Sequence, residues 1–156
     1  MTDTEKLLVT TTATVGLAFI GYLAAYLNSL RRAQRTERLT RLNRQLAELY
    51  GPLLALTEAS DMAWRAFRSK YRPDAHGYFD TQKPISDAAL LAWRNWMQTV
   101  FMPTNLRIYD CILSKSDLLI ESKMPTCLLD LCAHVTAYLP VIKAWEQNDY
   151  SEHTCG

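Results

Sequence analysis

Motifs that define whole classes of chemistry are missing from this chain. It has no Gly-rich phosphate loop, no hydrolase, kinase or zinc-protease signature and no internal repeat. The nucleotide-binding and hydrolytic families announced by such patterns therefore gain no support. No segment alternates apolar and polar residues as a strand does, which leaves helices as the material of the fold. No Asn-x-Ser/Thr acceptor occurs, as suits a domain that never meets a glycosylating lumen. Charge is missing in one place above all: the 24 residues 7–30 hold no Asp, Glu, Lys or Arg.

A helix crossing a hydrocarbon core about 30 Å thick needs about 20 such residues. The polar side chains in the run are threonines, tyrosines, Asn28 and Ser29, and threonine hydroxyls can bond to the helix's own carbonyls. A cleaved signal peptide wants a positive start, a short apolar centre and a small-x-small site. Here the start carries Asp3, Glu5 and Lys6, and no such site stands near Ala24-Ala25-Tyr26. A buried core helix would show a polar stripe, and this run has none. The expectation is a retained anchor at 7–30 behind a short extracytoplasmic N-terminus, residues 1–6.

Orientation follows from the flanks. Arg31, Arg32, Arg35, Arg38, Arg41 and Arg44 come after the run, opposed by Glu37, while Lys6 alone precedes it. Basic residues beside a span tend to stay cytoplasmic, which predicts a single-pass protein, N-terminus out and C-terminal domain in the cytoplasm, in the manner of a bacterial inner-membrane protein. Net charge is +5 over residues 31–44 and −3 over residues 45–156. The basic collar, represented by Arg31, Arg32, Arg35 and Arg38, thus belongs to a juxtamembrane helix at 31–48. It is a stop-transfer flank that also attracts the lipid bilayer, at about 1 kcal/mol per base near anionic headgroups. The acidic remainder lacks the basic stripe of a nucleic-acid binder. Cys111, Cys127, Cys132 and Cys155 are even in number. Cys127 and Cys132 nevertheless sit in an apolar helical pattern where free cysteine acts as a small hydrophobe, and reduced thiols in a cytosol fit better.

The most regular part of the chain comes next. Leu39, Leu42, Leu46, Leu49, Leu53, Leu56, Ser60, Ala63 and Phe67 are spaced alternately by three and four, the a/d spacing of a coiled-coil seam. The stripe can meet another chain or this chain's own later helices. Gly51-Pro52 interrupts it, and because the stripe keeps phase across the break a kink is expected there. Residues 71–85, with two prolines and a glycine, form the one substantial loop. Ser86 is a plausible N-cap followed by Asp87, and Ala88, Leu91, Trp93, Trp96, Val100 and Phe101 mark the apolar face of a third helix that Pro103 breaks or kinks. Ser116-Asp117 opens a short turn, and a last helix starts near Met124-Pro125 with a stripe through Leu128, Leu131 or Cys132, Val135, Tyr138 or Leu139, Ile142 and Trp145, bent or loosened at Pro140. The fold class is all-α: a transmembrane helix continuing into a cytoplasmic bundle of about four helices at 49–150, with a flexible tail at 151–156. Trp64, Trp93, Trp96 and Trp145 are the large core fillers.

One constellation has the makings of chemistry. Cys127, Asp130 and His134 lie at i, i+3 and i+7 of the last helix, where a thiol, a carboxylate and an imidazole could hold a metal or activate the thiol. A zinc site wants a fourth ligand, from His153, Cys155 or further away. The simpler reading is an Asp130–His134 surface pair beside a half-buried thiol. His76-Gly77-Tyr78-Phe79-Asp80 in the loop and His153-Thr154-Cys155 at the end are weaker candidates, and no catalytic residue, metal site or cofactor is assigned.

Leu49-Tyr50-Gly51-Pro52-Leu53-Leu54-Ala55-Leu56 and Cys127-Leu128-Leu129-Asp130 with Cys132-Ala133-His134 resemble segments of uncharacterised, mainly bacterial single-pass membrane proteins. That resemblance covers most of the chain after the anchor and implies no activity. The expected function is a non-enzymatic, membrane-tethered module that binds a protein partner through its leucine stripe. The alternatives are an effector or stress sensor that self-associates in the bilayer through Thr12/Gly16 and Gly21/Ala25, or a thiol- or metal-dependent enzyme on the Cys127 face.

Overall fold

A computed structural model describes residues 2–73, 78–79 and 84–153. Among these residues the protein is all-helical, without a strand. The chain divides into two compact units, Met1–Asn43 and Arg44–Gly156. The second begins five residues ahead of the bundle start expected at residue 49.

The first unit is made by helix α1, Asp3–Arg44, up to its penultimate residue Asn43. Asp3 and Glu5 lie in its positive first turn, and the Thr2 amide donates to the Glu5 carboxylate at 2.8 Å, a partial cap. Through the uncharged run the threonine hydroxyls turn inward. Thr11 and Thr12 donate to the carbonyls of Leu7 and Leu8, and Thr14 to that of Thr10, each at 2.8 Å. No hydroxyl among them needs water. The apolar window of this helix is wholly uncovered, and together with Thr126–Glu146 it is one of two described helices long and apolar enough to cross a membrane.

The second unit contains α2 (Gly51–Tyr71), α3 (Asp87–Trp96), α4 (Met102–Ser114) and α5 (Thr126–Glu146). α2 packs on α4, and α4 on α5. Ser86 caps α3, its hydroxyl accepting from the Ala89 amide at 3.2 Å.

Pro52 and Pro103 end no helix. Each stands two residues after the end of a π-helical turn, Gln45–Tyr50 and Met97–Phe101. A proline ring clashes with the carbonyl four residues back in an α-helix. Here the residues before the prolines, Gly51 and Met102, donate instead to the carbonyls five back, Leu46 and Met97. The widened turn makes room for the ring, so π turns stand where a kink was expected at Pro52 and a break or kink at Pro103, and α3 and α4 join into one helical stretch. Pro140 likewise lies inside α5, which runs on to Glu146.

The π turns also change which residues are buried. Buried positions on α3 and beyond are Ala89, Trp93, Met97 and Phe101, with Met102. A spacing of four drifts about 40° per step on a 3.6-residue helix, and the wider π turn absorbs that drift. Ala88 and Leu91, expected on the apolar face, are exposed instead.

Two clusters form the core. In the larger, the Phe67 ring lies 4.7 Å from Tyr78, 5.1 Å from Tyr71, 5.3 Å from Trp96 and 5.9 Å from Trp93 between centroids, within the separations that aromatic pairs prefer. Val135, Tyr138, Val141 and Trp145 of α5 close it. The smaller gathers Leu49, Leu118 and Leu119, with Tyr50, Leu53, Cys111, Met124 and Leu128 against them. Of the four expected tryptophan fillers, Trp93 and Trp145 are buried and Trp64 and Trp96 half-buried.

Candidate functional site

The leucine stripe divides. Leu39 and Leu42 of the first unit are 60% and 49% exposed. In the second unit Leu46 is 62% exposed, Leu49 is fully buried, and Leu53 and Leu56 are half-buried within the fold. Leu46 therefore leaves the seam that its spacing predicts. In the π turn the position one turn before Leu49 falls to Gln45, which is buried and whose side-chain amide donates to the Leu118 carbonyl at 2.8 Å. A buried carbonyl beyond the end of α4 thereby gains its partner.

The same turn holds more of the 115–120 segment. Glu48 receives Lys115 Nζ at 2.8 Å and Arg44 Nε at 3.3 Å, and these two cations hold its carboxyl below the ordinary range. The Ile120 amide donates to the Tyr50 hydroxyl at 3.3 Å. Gly51 is required by the geometry, since a Cβ there would stand 2.6 Å from the Leu46 carbonyl oxygen.

The Cys127, Asp130 and His134 candidates all lie on the exposed side of α5. The His134 ring is edge-on to Tyr138 at 5.1 Å. No three His, Cys, Asp or Glu side chains among the described residues gather into a metal-holding group. Burial raises the thiols of Cys111 and Cys132 above the ordinary range. The collar residues Arg31, Arg32, Arg35 and Arg38 are exposed on α1. His76, Gly77 and Asp80 of the loop, and Thr154 and Cys155, lie outside the described residues. Tyr78 is described, and it is structural. Its hydroxyl donates to the Ala89 carbonyl at 2.6 Å, its own carbonyl accepts from buried Arg72 at 2.6 Å, and burial raises its phenol above the ordinary range.

A groove that the sequence pattern did not announce lies between α3 and the residues after α5. α5 ends in a Schellman turn: the Asn148 and Asp149 amides donate to the carbonyls of Trp145 and Ala144 at 3.0 and 2.9 Å, with Asn148 at φ 61°. The reversed chain is then pinned by two buried indoles. Trp145 Nε1 donates to the Glu152 carbonyl at 2.7 Å and Trp93 Nε1 to the His153 carbonyl at 2.9 Å, so the described part of the expected tail, residues 151–153, is tied to the core. Tyr150 is thereby set over Arg94, whose guanidinium carbon is 4.2 Å from the ring centroid. The resulting open groove of about 550 Å³ has Tyr71, Ala92 and Trp145 among its apolar lining and Arg94, Asn95 and Gln98 as its polar side chains. The available signal was the i, i+1, i+4 spacing of those three on an otherwise apolar helix.

Compared with known proteins, the chain matches no family model, no curated protein and no solved structure.

Proposed function

We propose that this chain is a single-pass, membrane-anchored helical module that binds a protein partner at the cytoplasmic face of a membrane. The observation that carries the reading is the uncharged run of α1, apolar on every side and without protein cover. An all-round apolar helix belongs in lipid or in a core, and 24 residues of helix rise about 36 Å, enough for a core of about 30 Å. The self-bonded threonines support it, since each satisfied hydroxyl removes a desolvation cost. The arginine collar favours the N-out, C-in orientation. α5 also has a spanning composition, but Val135, Tyr138, Val141 and Trp145 commit one of its sides to the core of the second unit.

The partner reading rests on the leucines left uncovered, Leu39 and Leu42 in the first unit and Leu46 in the second. Leu53 is half-buried in the smaller core cluster, so its replacement would test folding rather than recognition. The experiment is therefore made with Leu42→Glu and, separately, Leu46→Glu in the full chain. Membranes are extracted with alkaline carbonate, and partners are captured by in-membrane crosslinking. Retention of both variants in the membrane with loss of the crosslinked species is expected. Release of the native chain by carbonate would overturn the anchor, and undiminished capture by both variants would overturn the docking stripe.

Self-association in the bilayer is the second reading. Gly16 and Gly21 stand in open surroundings, a Cβ at either meeting nothing within 4 Å, and Thr12/Gly16 and Gly21/Ala25 have the spacing that lets helices approach closely. Cysteines placed at Gly21 and Ala25 should crosslink in membranes if this holds, and monomeric behaviour there ends it.

A further inference from the structure

The groove beside Arg94 has no part in anchoring or in the leucine stripe, and its chemistry is specific. The geometry points to a binding site for a small organic carboxylate with a flat apolar body. Volume is the first argument: about 550 Å³ lies within the range of about 300–1,000 Å³ typical of small-molecule sites. Charge is the second. Arg94 is the only charged side chain in the described lining, and no carboxylate among the described residues pairs with it. Its guanidinium is held against the Tyr150 ring, which leaves a planar fork of N–H donors suited to bidentate contact with a carboxylate. One cation flanked by the neutral amides of Asn95 and Gln98 matches a single negative charge better than a phosphate dianion. Apolar surface is the third: Tyr71, Ala92 and Trp145 line the groove and supply apolar contact for a flat hydrophobic body. The site is built by core contacts, since the Trp145 and Trp93 indoles fix the chain that carries Tyr150. The inference is independent of the membrane reading, because binding at the groove requires no anchor.

The test uses the full chain in lipid nanodiscs, with empty nanodiscs as reference. The probe is 3-phenylpropionate, and its uncharged isostere is 3-phenylpropanamide. Binding is read by saturation-transfer NMR and titration calorimetry. The acid should bind at least about ten-fold more tightly than the amide, the ratio expected for one charge-assisted contact. Arg94→Gln should remove that preference. Leu91→Glu, at an exposed rim position 63% accessible, places a carboxylate one turn from Arg94 and should block the site even if Arg94→Gln fails to fold. Arg65→Gln, an exposed arginine of α2 paired with Asp61, should bind like the native chain. Equal binding of acid and amide, full binding by a folded Leu91→Glu protein, or no binding of the acid to the native chain at 20-fold molar excess in the millimolar range (about 10 mM, where contacts of this size remain detectable) would each overturn the proposal.

Discussion

Exchanging the roles of two adjacent residues gives the sharpest test of the π turn at Gln45–Tyr50. By its heptad spacing Leu46 belongs to the seam and Gln45 to the surface; the structure assigns them the other way round, with Leu46 62% exposed and Gln45 buried on the Leu118 carbonyl. Gln45→Ala leaves that buried carbonyl unpaired, at about 1–3 kcal/mol, and removes packed methylene surface worth about 0.8 kcal/mol per CH₂. A total loss of about 2–4 kcal/mol is expected. Leu46→Ala touches an exposed position and should stay within about 0.5 kcal/mol, whereas a seam leucine would cost about 2–5 kcal/mol. The assay is equilibrium urea unfolding of the full chain followed by tryptophan fluorescence, which reports on the second unit alone because Trp64, Trp93, Trp96 and Trp145 all lie there. With a slope of about 1–3 kcal/mol per molar urea, Gln45→Ala should lower the midpoint by about 0.7 M or more, and Leu46→Ala should barely move it. The reverse order, with Leu46→Ala the more damaging, would refute the π register and restore the unbroken heptad.

Three further outcomes follow from the same contacts. Gly51→Ala, which in an ordinary helix stabilises by up to about 1 kcal/mol, should destabilise by about 1–3 kcal/mol on urea unfolding, because the new methyl meets the Leu46 carbonyl at 2.6 Å; a gain in stability would contradict this. Among the described cysteines, iodoacetamide at pH 8 should modify exposed Cys127 well before Cys111 and Cys132, whose raised thiol pKa values leave less thiolate at that pH. Peptide mapping by mass spectrometry reads the order, and raising the pH should narrow the difference. Asn148→Ala forces a side chain with no αL preference into φ 61° and should cost about 1 kcal/mol in thermal unfolding, whereas Asn148→Gly should be neutral or stabilising.

Much of the helix placement was legible because its signals are local. Ser86 followed by Asp87 announces a helix start through one side-chain bond, and the apolar positions of α5 alternate at helical spacing, so Val135, Tyr138 and Trp145 are buried as their pattern predicts. Prolines were legible as perturbations but not in kind. Whether a helix kinks, ends or widens at Pro52 depends on what the widened turn can reach, and here Gln45 and Glu48 reach Leu118 and Lys115, some seventy residues further along the chain. The Arg94 groove was legible only as the polar spacing of Arg94, Asn95 and Gln98, with nothing to show what faces it. Its walls come from α3, from Tyr71 and Trp145, and from Tyr150, the last brought in by an αL turn and by indole bonds to the Glu152 and His153 carbonyls.

By itself the amino-acid sequence determined the all-helical class, the uncharged run at 7–30, the arginines that follow it and the segregation of charge between 31–44 and 45–156. These are sums over neighbouring residues, and no distant contact alters them. Tertiary structure alone decided which adjacent residue, Gln45 or Leu46, enters the core, how the two prolines are accommodated, and that Arg94 faces an open groove. Gln45 bonds to the Leu118 carbonyl and Arg94 stacks on Tyr150 across long stretches of chain. The proline turns are settled by bonds to the carbonyl five residues back, and apolar periodicity encodes neither kind of contact.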